Sequence, residues 1–375
     1  MKAEYRKLGD IIELIDERNK SLVTFEVLGI SIDKEFMPSV ANTIGTDLSK
    51  YKLIKKNTFA CNPMHVGRDE RLPVSLYKKD IPAIVSPAYF MFRINDENEV
   101  LSDFLMLLFR RDDFDRNCWF RTDGSVRGGI TWNDICEIKL PIPDIKEQQK
   151  IVDAYNSITK RIKIKQKINE NLEKTAQCLF ENVFKHELQK EEISFTDVID
   201  LLGGGTPSTA EKAYWSGNIP FFAPADIEKS IFCFSTEKNL TEEGLNNCSS
   251  KLYPKNTTFV TCRGTVGKLA LVGTPMAMNQ SCYALKDKNG QYPFFTYSFA
   301  KFTVSKLKNK ASGAVFSALV TKDFEMEKVF NPNFEKMKEY ETKSSSIFEN
   351  ISSNEKEITK LQELKQLVIS RISGM

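Results

Sequence analysis

The sequence has no run of about 18 consecutive apolar residues, the length a membrane-crossing helix requires. Its first residues, Met1-Lys2-Ala3-Glu4-Tyr5, lack the apolar core of a secretion signal, so a cytoplasmic protein without membrane contact is expected. Histidine is scarce, with only His65 and His186, far apart in the chain. The eight cysteines stand singly and never as a CxxC pair, so no metal-binding His/Cys spacing arises. Without a secretion signal they are expected to be reduced and mostly buried. Charge of one sign is not in excess either: the formal net charge is +3. That balance neither demands nor excludes a nucleic-acid partner, because basic residues can gather on one surface and be cancelled elsewhere.

Two segments fall short of the chemistry they approach. Gly264-Thr265-Val266-Gly267-Lys268-Leu269 has the wrong glycine spacing for a phosphate loop, and Leu269 stands where a Mg²⁺-binding Ser or Thr is needed. Asn331-Pro332-Asn333-Phe334 approaches the Asn-Pro-Pro-Tyr/Phe motif of adenine methyltransferases but departs at its third position. No glycine-rich cofactor loop follows a convincing strand. The chain is expected to hold no catalytic residue, no metal and no cofactor of its own.

What is present is repetition. Gly124-Ser125-Val126 precedes Ile130-Thr131-Trp132-Asn133-Asp134-Ile135, and Gly313-Ala314-Val315 precedes Leu319-Val320-Thr321-Lys322-Asp323-Phe324. At this same offset Pro143 meets Pro332, Leu172 meets Leu361 and Leu179 meets Val368. Leu53-Ile54-Lys55-Lys56-Asn57-Thr58-Phe59 resembles Leu252-Tyr253-Pro254-Lys255-Asn256-Thr257-Thr258-Phe259. Gly9 to Ile15 likewise echoes Thr196 to Leu202. Several echoes in one order point to duplication.

After Pro141-Ile142-Pro143 the pattern turns helical. One seam runs Ile151, Ile158, Lys165, Leu172 and Leu179; a second runs Tyr155, Ile162, Asn169, Ala176 and Val183. The second copy gives Tyr340, Ile347, Asn354, Leu361 and Val368, with Ser344, Ile351, Ile358, Lys365 and Ile372 beside them. Both seams are narrow. They favour two helices paired within the chain, as an antiparallel coiled coil, over each lying alone on its own domain. At 1.5 Å per residue, some thirty residues span about 45–50 Å. That is longer than one DNA turn of roughly 34–36 Å. The remaining segments favour short strands and turns. Ile81 to Phe92 has apolar runs broken by proline, and Thr257 to Cys262 reads as a strand before a turn at Arg263 to Lys268. The expected class is α+β, two globular domains separated by two long helices, with no strand order legible.

This arrangement resembles the specificity subunit of type I restriction–modification systems. Leu140-Pro141-Ile142-Pro143 followed by Glu147-Gln148-Gln149-Lys150-Ile151-Val152 looks like the family's boundary and helix start. Gly204-Gly205-Thr206-Pro207-Ser208-Thr209, with Tyr214-Trp215, Gly217, Ile219-Pro220 and Asp226, is similar to the opening of a target-recognition domain. Val85-Ser86-Pro87-Ala88-Tyr89 matches a further family segment. The second copy departs at Phe334-Glu335-Lys336-Met337-Lys338, which lacks the Glu-Gln-Gln signature.

The resemblance implies target-recognition domains at 1–143 and 189–332, and long helices at 144–188 and 333–375. Each head would read one half of a bipartite, asymmetric double-stranded DNA sequence. The helices would set the spacer and dock two modification (adenine methyltransferase) subunits. Restriction (translocase/nuclease) subunits would join the larger complex. S-adenosylmethionine, ATP and Mg²⁺ would sit on those partners. Arg and Lys suit guanine edges, Asn and Gln adenine. Candidate DNA-binding residues are Asn62, His65, Arg68 and Arg71 in the first head. In the second they are Thr206, Ser208, Lys212, Tyr214, Arg263, Lys268, Asn279 and Gln280. The alternative is a structural adaptor that binds two protein partners through its heads.

Overall fold

The computed structural model describes residues 4–40, 45–64, 66–122, 128–190, 192–227, 230–310 and 318–372. His65 and the paired segments Gly124-Ser125-Val126 and Gly313-Ala314-Val315 lie outside the described residues. The chain forms two compact units, residues 1–161 with 361–375, and residues 162–360. Each unit therefore contains one head and a stretch of both long helices.

In the first unit an antiparallel sheet runs in the order Ile12–Ile15, Phe90–Ile94, Thr58–Cys61, Val74–Tyr77. All four residues of Thr58–Cys61 are buried, because both faces of the strand are covered. Phe59 and Cys61 face one core, with the helix Ser102–Phe109; Ala60 faces another, with Ile54, Ala83 and Val85. Phe59 stacks on Phe92, and Phe109 meets both rings edge-on. The second sheet runs Phe36–Pro38, Val27–Ile30, Ala83–Val85, Lys52–Ile54, and its two central strands are parallel. Proline divides Ile81 to Phe92 as the sequence suggests: Ala83–Val85 belongs to one sheet and Phe90–Ile94 to the other. A two-stranded ladder, Glu4–Lys7 against Lys139–Ile142, closes the head.

The second unit repeats this topology. Its larger sheet runs Ile199–Gly203, Cys282–Asp287, Thr258–Thr261, Leu269–Val272, with Phe232–Cys233 added at the edge. Its smaller sheet pairs Trp215–Phe222 parallel with Ala277–Met278 and antiparallel with Lys238–Leu240. The ladder is Ile193–Ser194 against Lys328–Val329. Phe59 pairs with Leu76 and Phe92, and Phe259 with Ala270 and Ala284, so the two phenylalanines hold one sheet position. Asn57 and Asn256, just before them, both adopt left-handed φ of 61° and 70°. Duplication is thus visible in strand order, in register and in the turn that starts the central strand.

The long helices are Ile145–Val183 and Phe334–Arg371. At 39 and 38 residues each is roughly 57–58 Å long, longer than the sequence reading gave. Asp144 Oδ1 accepts from the N–H groups of Lys146 and Glu147, and Asn333 Oδ1 from that of Glu335, so equivalent residues cap the two starts. Every seam position named above is buried or half-buried. In the first unit Ile151 and Tyr155 share a core with Ile369 and Ile372, Val368 packs against it, and the Lys365 ammonium lies 4.9 Å from the Tyr155 ring. In the second, Lys165 Nζ donates to Asn354 Oδ1 at 2.8 Å, and Asn354 Nδ2 donates to Asn169 Oδ1 at 2.8 Å. Tyr340 Oη donates to the Ala176 carbonyl at 3.2 Å, and Lys336 pairs with Glu187 at 2.6 Å. Rising numbers on one helix meet falling numbers on the other within each unit, so the pairing is antiparallel. The two arrangements that the seams suggested are not exclusive: the helices pair, and they also lie on the heads.

Side chains of the helices reach into the heads. Gln148 is buried; its Nε2 donates to the carbonyls of Glu99 and Pro143, and its Oε1 accepts from Leu101 N–H at 2.9 Å. In the second unit the Glu341 carboxylate accepts from Phe294 and Phe295 N–H, at the start of the helix Pro293–Lys310. Glu355 accepts from Ile231 and Phe232 N–H at 2.8 and 2.9 Å. Burial pushes both carboxyls up to about 7, against the backbone donors that favour the charged form.

Two outcomes follow. Asn354→Ala removes both seam hydrogen bonds and should destabilise the chain by about 1–2 kcal/mol in chemical denaturation. A carboxyl raised in the fold stabilises fully below its unfolded value, and this is lost as pH rises through the folded one. The Tm should therefore fall between pH 5 and pH 8, and Glu341→Gln with Glu355→Gln should flatten that slope. An unaltered slope in the double variant would refute this origin.

Candidate nucleic-acid interface

Loops converge at one end of the second head. Ile199–Gly203 ends there, Thr258–Thr261 turns there, and Cys282–Asp287 and Trp215–Phe222 meet there. Backbone bonds lock these loops together: Gly205 N–H to Met278 O, Asn279 N–H to Phe222 O, Cys262 N–H to Ser281 O. The Thr206 hydroxyl donates to Gln280 Oε1 across two of them. A Cβ on Gly204 would lie 2.2 Å from the Asn279 carbonyl oxygen, so only glycine permits this approach.

The turn 262–268 is a hairpin between two strands, not the strand-to-helix link of a phosphate loop. Gly264 and Gly267 both take left-handed φ, 77° and 70°. Thr261 closes the turn, donating to Thr265 O and accepting from Lys268 N–H. Arg263 is exposed and has no ion pair or side-chain hydrogen bond among the described residues. Lys268 is exposed too, and Lys308 donates to Gly267 O at 2.7 Å. Burial, then the Lys268 charge, pulls Lys308 below the usual ammonium range. Three basic side chains, Arg263, Lys268 and Lys308, thus lie at this hairpin.

The remaining second-head candidates sit differently. Ser208 gives its carbonyl to Trp215 Nε1 at 3.1 Å, while its side chain is exposed. Lys212 and Tyr214 bound a single 3₁₀ turn beneath Trp215, with the Tyr214 carbonyl packed by Thr241 and Gly244. The structure brings Thr206, Asn279 and Gln280 together, with Arg263 on the adjoining loop; no side-chain hydrogen bond among the described residues joins Lys212 or Tyr214 to them. Several family-like residues frame the loops: Asp226 bonds Ala223 and Glu237 N–H, and Gly217 lets the chain pass Leu240 and Thr241.

In the first head the equivalent hairpin is the longer loop 62–73. Asn62 accepts from Met64 N–H and shapes its own turn. Arg68 has its guanidinium fork on Asp69, which holds it above its usual value. Arg71 is exposed, 3.8 Å from Asp33. Ser86-Pro87-Ala88-Tyr89 links the first head's two sheets as Asn279-Gln280-Ser281 does in the second. Pro87 and Ala88 are exposed there. The sequence points to Asn279 and Gln280 in the second head's link and to no residue in the first head's; the position between two strands, shared by both copies, is the signal that marks the latter.

Cysteines contribute no reactive thiol to these loops: burial pushes Cys61 and Cys262 up to about 12. Among the described residues no cluster could hold a metal ion, and no helix is long and apolar enough to cross a membrane.

One loop cluster built twice on one topology, each copy bonded to long helices, defines a duplicated recognition scaffold. The family model "Type I restriction modification DNA specificity domain" matches residues 2–174 and 188–367. The HindI specificity subunit of Haemophilus influenzae is 24% identical, over 97% of both chains. The MjaIX specificity subunit of Methanocaldococcus jannaschii is 30% identical over 44% of this chain and 39% of its own. The solved S subunit of a type I restriction–modification system from M. genitalium shares the fold, with a TM-score of 0.61 at 13% identity, over 98% of this chain and 95% of that one. The chain belongs to the type I restriction–modification specificity-subunit family, whose members are non-catalytic, the catalytic activities lying on other subunits.

Gly204→Ala should push the Thr206 and Gln280 loops apart and cost about 1–3 kcal/mol. Gly203→Ala, whose Cβ meets nothing within 4 Å, is the control. Equal stability of the two variants would remove the close approach from the account.

Proposed function

We propose that each head reads one half of a bipartite, asymmetric double-stranded DNA sequence, while the long helices set the unspecified spacer and dock two modification subunits. The observation that carries this is the twice-built loop cluster. Its frame is shared, yet the hairpin runs from Asn62 to Pro73 in one head and from Cys262 to Lys268 in the other. A common frame with unlike loops suits two different half-sites. Phosphate contacts by exposed Lys and Arg would fix orientation, and side chains at base edges would specify sequence. S-adenosylmethionine would bind the modification subunits; ATP and Mg²⁺ would serve the restriction subunits. This chain would act in the cytoplasm, where those partners meet DNA.

Methylation mapping after co-expression with the modification subunit tests the reading. Two defined half-sites with a fixed gap are expected. A competent complex that leaves methylation unchanged would sink it, and salt-independent DNA binding would favour the protein adaptor. Inserting one heptad in both helices should lengthen the gap and leave both half-sites readable. An unchanged gap would remove the helices as the ruler.

A further inference from the structure

We infer that the buried pair Lys34 and Asp115 is a positioning device for the arginine-bearing loop of the first head, and so governs how strictly that head reads its half-site. This rests on the DNA reading above.

Lys34 sits in a tight turn between Val27–Ile30 and Phe36–Pro38, with a left-handed φ of 64°. Its N–H donates to Ser31 O, and Ser31 N–H to Glu35 O. A non-glycine residue there is strained, because its Cβ crowds the following carbonyl oxygen. The side chain then runs inward. Nζ meets Asp115 Oδ1 at 2.6 Å, with both side chains under a tenth exposed. Nζ also donates to the Leu72 carbonyl at 3.1 Å, and Asp115 Oδ1 accepts from Leu72 N–H at 3.0 Å. One ion pair thus holds both main-chain groups of one residue.

Leu72 adjoins Arg71, in the loop that turns between the strands Thr58–Cys61 and Val74–Tyr77. Among the described residues the loop's other backbone ties to the head are Asn62 N–H to Pro73 O at its base, Ile130 N–H to Pro63 O, and Gly67 N–H to Gly128 O further out. Val66 and Leu72 are also buried in the core. Of these, the ion pair is the tie that grips the residue next to Arg71 by both its main-chain groups. The turn that supplies Lys34 also supplies Asp33, whose carboxylate lies 3.8 Å from the Arg71 guanidinium. Arg71, Arg110 and Lys365, together with the acids Asp33 and Asp112, line a cleft of about 240 Å³ beside the pair. Buried ion pairs are often matched or bettered in stability by apolar side chains of similar volume. Stability alone therefore does not account for a strained turn that buries a lysine. What the pair supplies is a fixed Cα position for Arg71.

The test uses the full chain in complex with its modification subunit. The variants are Lys34→Met with Asp115→Leu, Arg71→Ala, and all three together. Melting temperature, the salt dependence of DNA binding and the methylated sequence are read for each. The apolar pair is expected to keep its Tm within a few degrees and its second half-site unchanged. Discrimination at one or more base pairs of the first half should fall at least tenfold. Added to Arg71→Ala, it should cause no further loss, since the two act as one unit. Unchanged first-half discrimination overturns the inference, as does a full additional loss in the Arg71→Ala background. If the apolar pair does not fold, Asp115→Asn is read by the same two criteria. A wild-type complex that methylates no bipartite sequence overturns the DNA reading itself, and this inference with it.

Discussion

The first N–H groups of a helix have no partner inside it, and in both heads a long helix supplies one. Leu101 N–H, preceding the helix Ser102–Phe109, finds the amide oxygen of Gln148. Phe294 and Phe295 N–H, at the start of Pro293–Lys310, find the carboxylate of Glu341. An orphan donor in a buried place costs about 1–3 kcal/mol if left unmet. Each head is therefore attached to its helix by directed bonds as well as by apolar packing. The solutions differ chemically. Met337 stands where duplication would place Gln148, and it is buried in the apolar core; the acceptor appears one turn later as an acid. A neutral amide does not titrate, whereas the acid, raised by burial, makes the second attachment sensitive to pH.

Much of this architecture was legible. Helical periodicity, proline boundaries and the shared offset located both long helices, and the polar seam residues Lys165, Asn169 and Asn354 proved to be one another's partners. A heptad reports its own face directly, because each position repeats a fixed rotation. Strand order was not legible. Thr58–Cys61 is buried on both faces, so it shows no alternation from which a sheet neighbour could be inferred. The anchoring acids were also opaque. Glu341 and Glu355 read as ordinary surface residues of a charged helix until the backbone N–H groups of the head are seen against them.

The interface was legible in part, for a related reason. Glycines and prolines betray tight turns locally, so the loops 204–208 and 262–268 could be picked out. Whether an arginine in such a loop is available depends on contacts distant in sequence. Arg68 is engaged by its neighbour Asp69, while Arg263 has no such partner among the described residues. The family-like segments turned out to be largely the frame: Asp226, Trp215 and Gly217 shape or brace turns. The residues that carry the family resemblance here hold loops in place, and they do so by contacts with the backbone rather than by presenting side chains outward.

Each head begins and ends in one short ladder, Glu4–Lys7 against Lys139–Ile142 and Ile193–Ser194 against Lys328–Val329. Its entry and exit strands are hydrogen-bonded neighbours, about 5 Å apart. A head is thus topologically an insert with a closed neck. A genetic exchange that replaced everything between the two neck strands would leave the incoming and outgoing chain at nearly the same points. The helix register beyond would be untouched. The ladder would let a head be exchanged as one unit, with the helices on either side left as they are.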